Sequence, residues 1–196
     1  MSRTDEAPVR CFSVPASAPQ MRILDAALDL IAVHGVAATS YQMIADALGI
    51  TKGAVYRQFK AKEDLVIALV ARQLGKLEDA LIVAELSEGL PRAQAMLLTT
   101  VIDLAVAERG RASSLQFDPV IARLLSEYSP FQQFIERLYC ALVGERDDEG
   151  RIAAAMISGA ISMAVIHPAS TAMDDESLRA LLIKYTRGFV SIPGFE

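Results

Sequence analysis

The chain has 196 residues, 53% of them hydrophobic, and a formal net charge of −5. That is enough apolar material for one large domain, or for a small domain joined to a larger one. The acidic balance excludes a protein that coats nucleic acid by bulk charge, while leaving room for a local basic patch.

Residues 1–19 hold Pro8, Pro15 and Pro19 among serine, alanine and charged residues without periodicity, the composition of a flexible N-terminal tail. Its Cys11 pairs with nothing obvious. With Cys140 the only other cysteine, no disulfide framework is expected, which suits a reducing cytoplasm. From Gln20 to His34, Ile23, Ala26, Ala27, Leu30 and Ile31 recur at helical spacing, and Gly35 reads as a stop. Then comes the stretch around which the rest is organised, Ser40 to Lys62. Ile44, Ala45 and Leu48 share one helical face behind Ser40 as N-cap, and Gly49 ends that helix. Thr51 caps a second short helix that turns Ala54, Val55 and Phe59 inward. Two short helices across a tight turn make a helix-turn-helix. With the helix before them they form a three-helix head over residues 20–65.

The helical pattern continues through residues 66–196. Leu65, Leu69, Leu77 and Leu81 mark a helix from Glu63 to Leu86, and Met96, Leu97, Val101 and Leu104 mark one from Pro91 to Arg109. A short helix from Pro119 to Glu127 follows, then one opened by Pro130 that runs to Gly144. Asp147 begins the next, which His167 and Pro168 stop; after a turn at Ser170 to Met173, the last runs from Asp174 to Ile192. No strand alternation interrupts this order, so the fold class is all-α. The most lipid-like run, Ile152 to Ile166, is shorter than the ~20 apolar residues a bilayer requires. No basic-then-apolar signal opens the chain. A soluble, cytoplasmic protein with no membrane partner is expected.

Two features of this body suggest partners. Small Ala155, Ser158, Gly159 and Ser162 face bulky Leu178, Leu182, Tyr185 and Phe189 in the last two helices. They suit close packing within one chain, a four-helix bundle between two copies, or both. Met96, Phe117, Tyr128, Phe131, Phe134, Tyr139 and Met156 either fill core or, as a group, line an apolar pocket for a small molecule. Thr100, Arg123 and Arg137 are polar anchors for the second reading.

The second motif helix supplies the chemistry. Lys52, Arg57, Lys60 and Lys62 crowd its outward face and the residues just beyond, with no acid among them. Gly53 and Ala54 leave its start bare, and Tyr56 adds a phenol. Cations, exposed backbone N–H groups and a hydroxyl are what a duplex backbone accepts. Catalysis finds no comparable support. His34 and His167 are the only histidines and have no metal-ligand partner at useful spacing, and no nucleophile elbow or P-loop appears. Neither an enzyme nor a metal or cofactor is expected. The alternative to a DNA reader is a helical scaffold that binds only protein.

The run Ser40-Tyr-Gln-Met-Ile-Ala, Leu48-Gly-Ile-Thr-Lys-Gly-Ala-Val-Tyr-Arg-Gln-Phe-Lys-Ala-Lys and Glu63-Asp-Leu closely resembles the DNA-binding segment of TetR-type transcriptional regulators. The resemblance implies a helix-turn-helix head followed by a larger ligand-binding and dimerisation body, about nine helices in all. It implies a homodimer, which would present two reading helices to successive major grooves about 34 Å apart. It implies a repressor on operator DNA, released by a small-molecule effector still to be identified. Carried over residue by residue, Gln42, Lys52, Ala54 and Arg57 would approach base edges, while Ser40, Tyr56, Gln58 and Lys62 would hold phosphates. Gly53 would admit the duplex closely, and Tyr41 suits either role. Arg57 and Gln58 stand where many relatives carry aromatic residues or histidine, so no base preference follows.

Overall fold

Side-chain caps set most helix boundaries in the computed structural model, which describes residues 10–12, 17–87, 91–109, 118–143 and 147–187. Helix α1 (Ala18–Ala38) starts behind Ser17, whose hydroxyl accepts from the Gln20 N–H. The Gln20 side chain accepts in return from the Ser17 N–H at 3.0 Å. Gly35 breaks the helical path as expected, with non-helical backbone at φ 76° and ψ 165°, and one further turn follows to Ala38. Helices α2 (Tyr41–Leu48) and α3 (Lys52–Gln58) follow Ser40 and Thr51, and each cap oxygen accepts the N–H three residues on at 3.2 Å. Between them Gly49 takes φ 65°, the left-handed region in which a Cβ is strained. Helix α4 (Lys62–Leu86) has only Ala61 ahead of it, so Asp64 reaches back to the Ala61 N–H at 3.0 Å.

The described order is completed by α5 (Pro91–Ala107), α6 (Pro119–Glu127), α7 (Ser129–Val143), α8 (Asp148–Ile166), the single turn α9 (Pro168–Thr171) and α10 (Asp175–Arg187). All described elements are helices, and the all-α fold class holds. The expected turn after Pro168 is itself one helical turn, because His167 Nδ1 accepts from the Ala169 N–H at 3.1 Å. The stop expected at Gly144, Phe117 and the end of the last helix with Phe189 lie outside the described residues. By length and composition α8 is apolar enough to cross a membrane, with mean hydropathy 1.4. In this fold it packs against α5, α7 and α10.

Two apolar cores share α4. The head core joins Ile23, Leu24, Leu28 and Ile31 of α1 to Ile44, Val55, Phe59 and the first turns of α4, Leu65 to Val70. The body core joins Leu77 and Leu81 farther along α4 to Leu97, Ile102, Phe134, Leu138, Ile157, Ile161, Leu178 and Leu182. Each such side chain, fully buried, stabilises the fold by ~1.5–3 kcal/mol. The division expected after Leu65 thus falls inside a continuous helix whose head contacts run on to Val70. Ile121 of α6 and Phe131 of α7 also belong to the head core, which ties the two parts together. Within the expected N-terminal tail, Arg10 to Phe12 lie on α4 and α7 and Phe12 packs against both cores, while residues 1–9 and 13–16 lie outside the described residues. An unpatterned sequence carries no sign of a single ring seated that far along the chain.

Candidate nucleic-acid interface

The inward side of the motif is closed by small or branched residues. Ala45 and Val55 are fully buried where α2 and α3 meet, which lets α3 lie close and turns its other face outward. Lys52, Gly53, Tyr56, Arg57 and Lys60 are exposed there; Ala54 and Gln58 are half-buried. A Cβ built on Gly53 would meet only the Thr51 hydroxyl oxygen, at 3.9 Å, so nothing within the chain demands glycine at that position. Its bareness faces outward.

Most described cations elsewhere are neutralised, and those that are not, such as Arg22, Arg92 and Lys184, are scattered rather than gathered on one short helix. Arg72, Arg109, Arg123, Arg137, Arg151 and Arg179 each pair with a carboxylate. Among the described residues, Lys52, Arg57 and Lys60 pair with none. Lys60 instead rests its ammonium 5.3 Å from the Tyr56 ring centroid, a cation–π contact that leaves the charge facing solvent.

Other expected contacts are partly engaged inside the head. The Tyr41 hydroxyl donates to the Ala61 carbonyl at 2.6 Å, which braces α2 against the start of α4. Burial, with Asp64 and Glu63 nearby, pushes that phenol up to about 12, so it stays neutral at physiological pH. Tyr41 therefore acts through the position of α2, and its ring stands 6.5 Å from that of Tyr56. The Gln42 amide donates to Asp46 at 2.7 Å, one turn along the same helix. Lys62 donates to the Ala37 carbonyl at 2.9 Å and fastens α4 to the end of α1; two of its three N–H groups remain for a phosphate. Ser40 accepts from the Met43 N–H, which leaves its hydroxyl proton to donate.

One link the sequence did not disclose joins this head to the body. One Asp118 oxygen caps α6 by accepting from the Val120 N–H at 2.9 Å. The other accepts from the Val36 N–H at 2.8 Å, just past the α1 kink. Asp before Pro119 signals the cap, but a partner 82 positions away leaves no sequence signal.

The residues expected around a ligand are not brought together as one set. Phe131 and Phe134 are fully buried, and the Tyr128 ring lies 4.9 Å from Phe131. Tyr139 is half-buried on the same helix. Met96 and Met156 are instead 57% and 60% exposed, so neither lines a cavity; helical spacing alone does not tell an inward methionine from an outward one. The Thr100 hydroxyl is taken by the Met96 carbonyl of its own helix, at 2.9 Å. Arg123 pairs with Glu127 on the surface, whereas Arg137 pairs with Glu85 at 2.7 Å beside the aromatic cluster.

The expected dimer surface divides in the same way. Leu178, Leu182 and Ser162 are buried within the chain, so they serve its own core. Ala155 and Gly159 are exposed, Ser158 is half-buried, and Tyr185 is 63% exposed. Ile152, Met156, Met163 and Leu181 are exposed too and extend these residues into an outward apolar face on α8 and α10.

Comparison with known proteins bears on the head directly. The family model described as bacterial regulatory proteins, tetR family, matches residues 23–69. The chain is 42% identical over 66 residues to the HTH-type transcriptional regulator AcrR of Shigella flexneri, covering 32% of this chain and 31% of that protein. It is 38% identical over 56 residues to the fatty acid metabolism regulator protein of Bacillus subtilis, covering 29% of each. The matched stretch is thus about a third of the length of these relatives. Over nearly the whole chain the likeness is one of fold. A TerR/AcrR-family transcriptional regulator from Aquifex aeolicus superposes with TM-score 0.66 at 19% identity, over 87% of this chain and 98% of that one. A putative fatty acid metabolism regulator from Clostridium perfringens gives 0.67 at 17%, over 89% and 100%. In its helix-turn-helix segment the chain is thus similar to bacterial regulatory proteins of the tetR family, and its all-helical fold is the one those solved regulators share.

Proposed function

We propose that this protein is a sequence-specific DNA-binding transcriptional regulator rather than an enzyme, a cytoplasmic repressor that binds operator DNA as a homodimer and leaves it when a small molecule occupies the body. The observation that carries this reading is the outward face of α3. In an acidic chain most of whose described arginines elsewhere are neutralised, Lys52, Arg57 and Lys60 are held out together beside a bare Gly53, with no carboxylate partner among the described residues. Such a face gains by releasing counterions from a polyanion. Ser40, Tyr56, Gln58 and Lys62 would hold phosphates, while Gln42, Lys52, Ala54 and Arg57 would approach base edges, with Arg57 able to meet guanine bidentately.

The apolar face of α8 and α10 supports the dimer. Covering Ile152, Met156, Met163 and Tyr185 with a second copy removes them from water and supplies the second reading helix that one small head needs. Release follows from linkage: a ligand that prefers one arrangement of the heads must bind less well when DNA holds the other. The Asp118 bridge to Val36 is a direct route from α6 to the end of α1. A gel-shift with the intergenic DNA beside the protein's own gene tests the proposal. Binding should fall steeply with salt, and Lys60→Ala should flatten that slope by about one unit. No retardation of any fragment at low salt would sink it.

A further inference from the structure

Phe12 occupies a position on which both cores converge. Its ring centroid lies 5.4 Å from that of Phe131 and 5.1 Å from that of Phe134, two rings with no exposure at all. It packs with Leu74 against the head and body cores alike and lies over Gly75 of α4. The backbone N–H groups of Cys11 and Phe12 both donate to the Glu78 carboxylate, Phe12 at 3.3 Å. Glu78 is 0% exposed. Among the described residues no cation pairs with it, so these two N–H groups are what compensates a carboxylate withdrawn from water. Arg10 and Asp79 pair outside it, and the Cys11 thiol accepts from Arg137 at 3.2 Å.

A carboxylate on the inward side of a core helix is costly for packing alone, where leucine would serve better. Here the residue that donates to it sets its ring between Phe131 and Phe134: the Phe12 N–H lies two bonds from its benzyl group, and the Cys11 N–H adds a second donor one residue back, from positions 66 and 67 away in the chain. Next to this strap a cavity of about 300 Å³ opens between Arg10, Cys11, Pro130, Gln133 and Arg137, room for a larger molecule to extend. We infer that the cleft between α4 and α7 is a ligand site for an aromatic amine in its ammonium form, and that Cys11–Phe12 is a tethered stand-in for that ligand. The ammonium would donate to Glu78 in place of the two backbone N–H groups and add the opposite charge they lack. Its ring would enter between Phe131 and Phe134 in place of Phe12. Because Phe131 is part of the head core, exchange of one occupant for the other is felt where α1 and α4 meet. This assignment rests on the body being the effector-binding part proposed above.

The tether keeps its own occupant at high effective concentration, so the apparent affinity of a free ligand is reduced by the fraction of time the strap is out. The test uses the full chain, 2-phenylethylamine at pH 7 as probe and neutral 2-phenylethanol as its uncharged counterpart, with binding followed by calorimetry. The amine should bind, the alcohol should bind at least about tenfold more weakly, and Phe12→Ala should tighten the amine about tenfold by emptying the site. Adding Glu78→Gln to Phe12→Ala should erase the preference for the amine. Equal binding of amine and alcohol would overturn the role of Glu78, a comparison that needs no variant to fold. A folded Phe12→Ala protein with unchanged affinity would overturn the stand-in. The gel-shift is repeated with saturating amine. Bound amine with undiminished DNA binding leaves the site standing and overturns its part in release, whereas DNA binding without amine binding overturns the site and leaves the regulator standing.

Discussion

The head and the body expose opposite kinds of surface. On the head, Lys52, Arg57 and Lys60 stand unpaired among the described residues, while the groups around them are pinned: Tyr41 on Ala61, Lys62 on Ala37, Ser40 and Thr51 on their helix starts. On the body, Arg109, Arg151 and Arg179 are neutralised by Asp175, Glu136 and Asp103, and what remains outward is Ile152, Met156, Met163 and Tyr185. A fixed cationic face gains most from a polyanion, an apolar one from being taken out of water. Because these surfaces do not overlap, the proposed duplex and the proposed second copy would meet different faces of the chain. What the two parts share is internal, along α4 and around Phe131.

That shared interior is where the contrast breaks most sharply. Phe131→Ala should cost ~3–5 kcal/mol, since it empties a fully buried ring position in a core that joins head and body. Hydrogen exchange should then speed up in α1 and α8 together; faster exchange in one alone would mean that the parts fold separately. On the body surface, Met156→Glu should turn the proposed dimer into monomer in sedimentation, because a charge buried without a partner costs ~3–5 kcal/mol. The monomer should keep its helical content, and an unchanged dimer would move the interface elsewhere.

On the head, Arg57→Ala should lose ~1–3 kcal/mol of operator affinity and leave urea unfolding where it was. A matching loss of stability would mean that Arg57 serves the fold. Gln73 sharpens the description of the seam. It is buried on α4 between the two cores, and neither its amide nitrogen nor its oxygen meets a hydrogen-bond partner among the described residues. Gln73→Leu should stabilise the chain by ~1–2 kcal/mol in urea unfolding, because an unsatisfied buried amide is removed. The smallest effect is Tyr41→Phe, ~0.5–1.5 kcal/mol for the bond to Ala61. It also carries a pH signature. The folded phenol sits near 12, above the unfolded value of about 10, so the neutral form favours folding. Its contribution is full below pH 10 and is lost as pH rises towards 12. The wild type should weaken across that window more than Tyr41→Phe does.

Much of the head was legible because its determinants are local. Ser40 and Thr51 cap within three residues, and Gly49 is required by the backbone angle it adopts. Ile44, Ala45 and Val55 are buried as their spacing requires. Gly35 breaks the helix as a glycine stop should, but the sequence did not disclose that the Val36 N–H just past it is taken by Asp118. On the body, Met96 and Met156 read as pocket residues and face solvent, and Leu178 and Leu182 read as interface and lie inside. An amphipathic period reports that one side of a helix is apolar, not which of two apolar neighbours covers it.

From its order of residues alone, this chain determined its helices, their caps and the cationic side of α3, since each depends on neighbours a few positions apart. Its tertiary structure decided which apolar faces meet and which stay open, that Asp118 ties α6 to α1, and that Phe12 comes to rest on Glu78 between Phe131 and Phe134. Those contacts join residues tens of positions apart. Loop closure makes them costly to form, and no local pattern specifies them, so only the packed chain can select them.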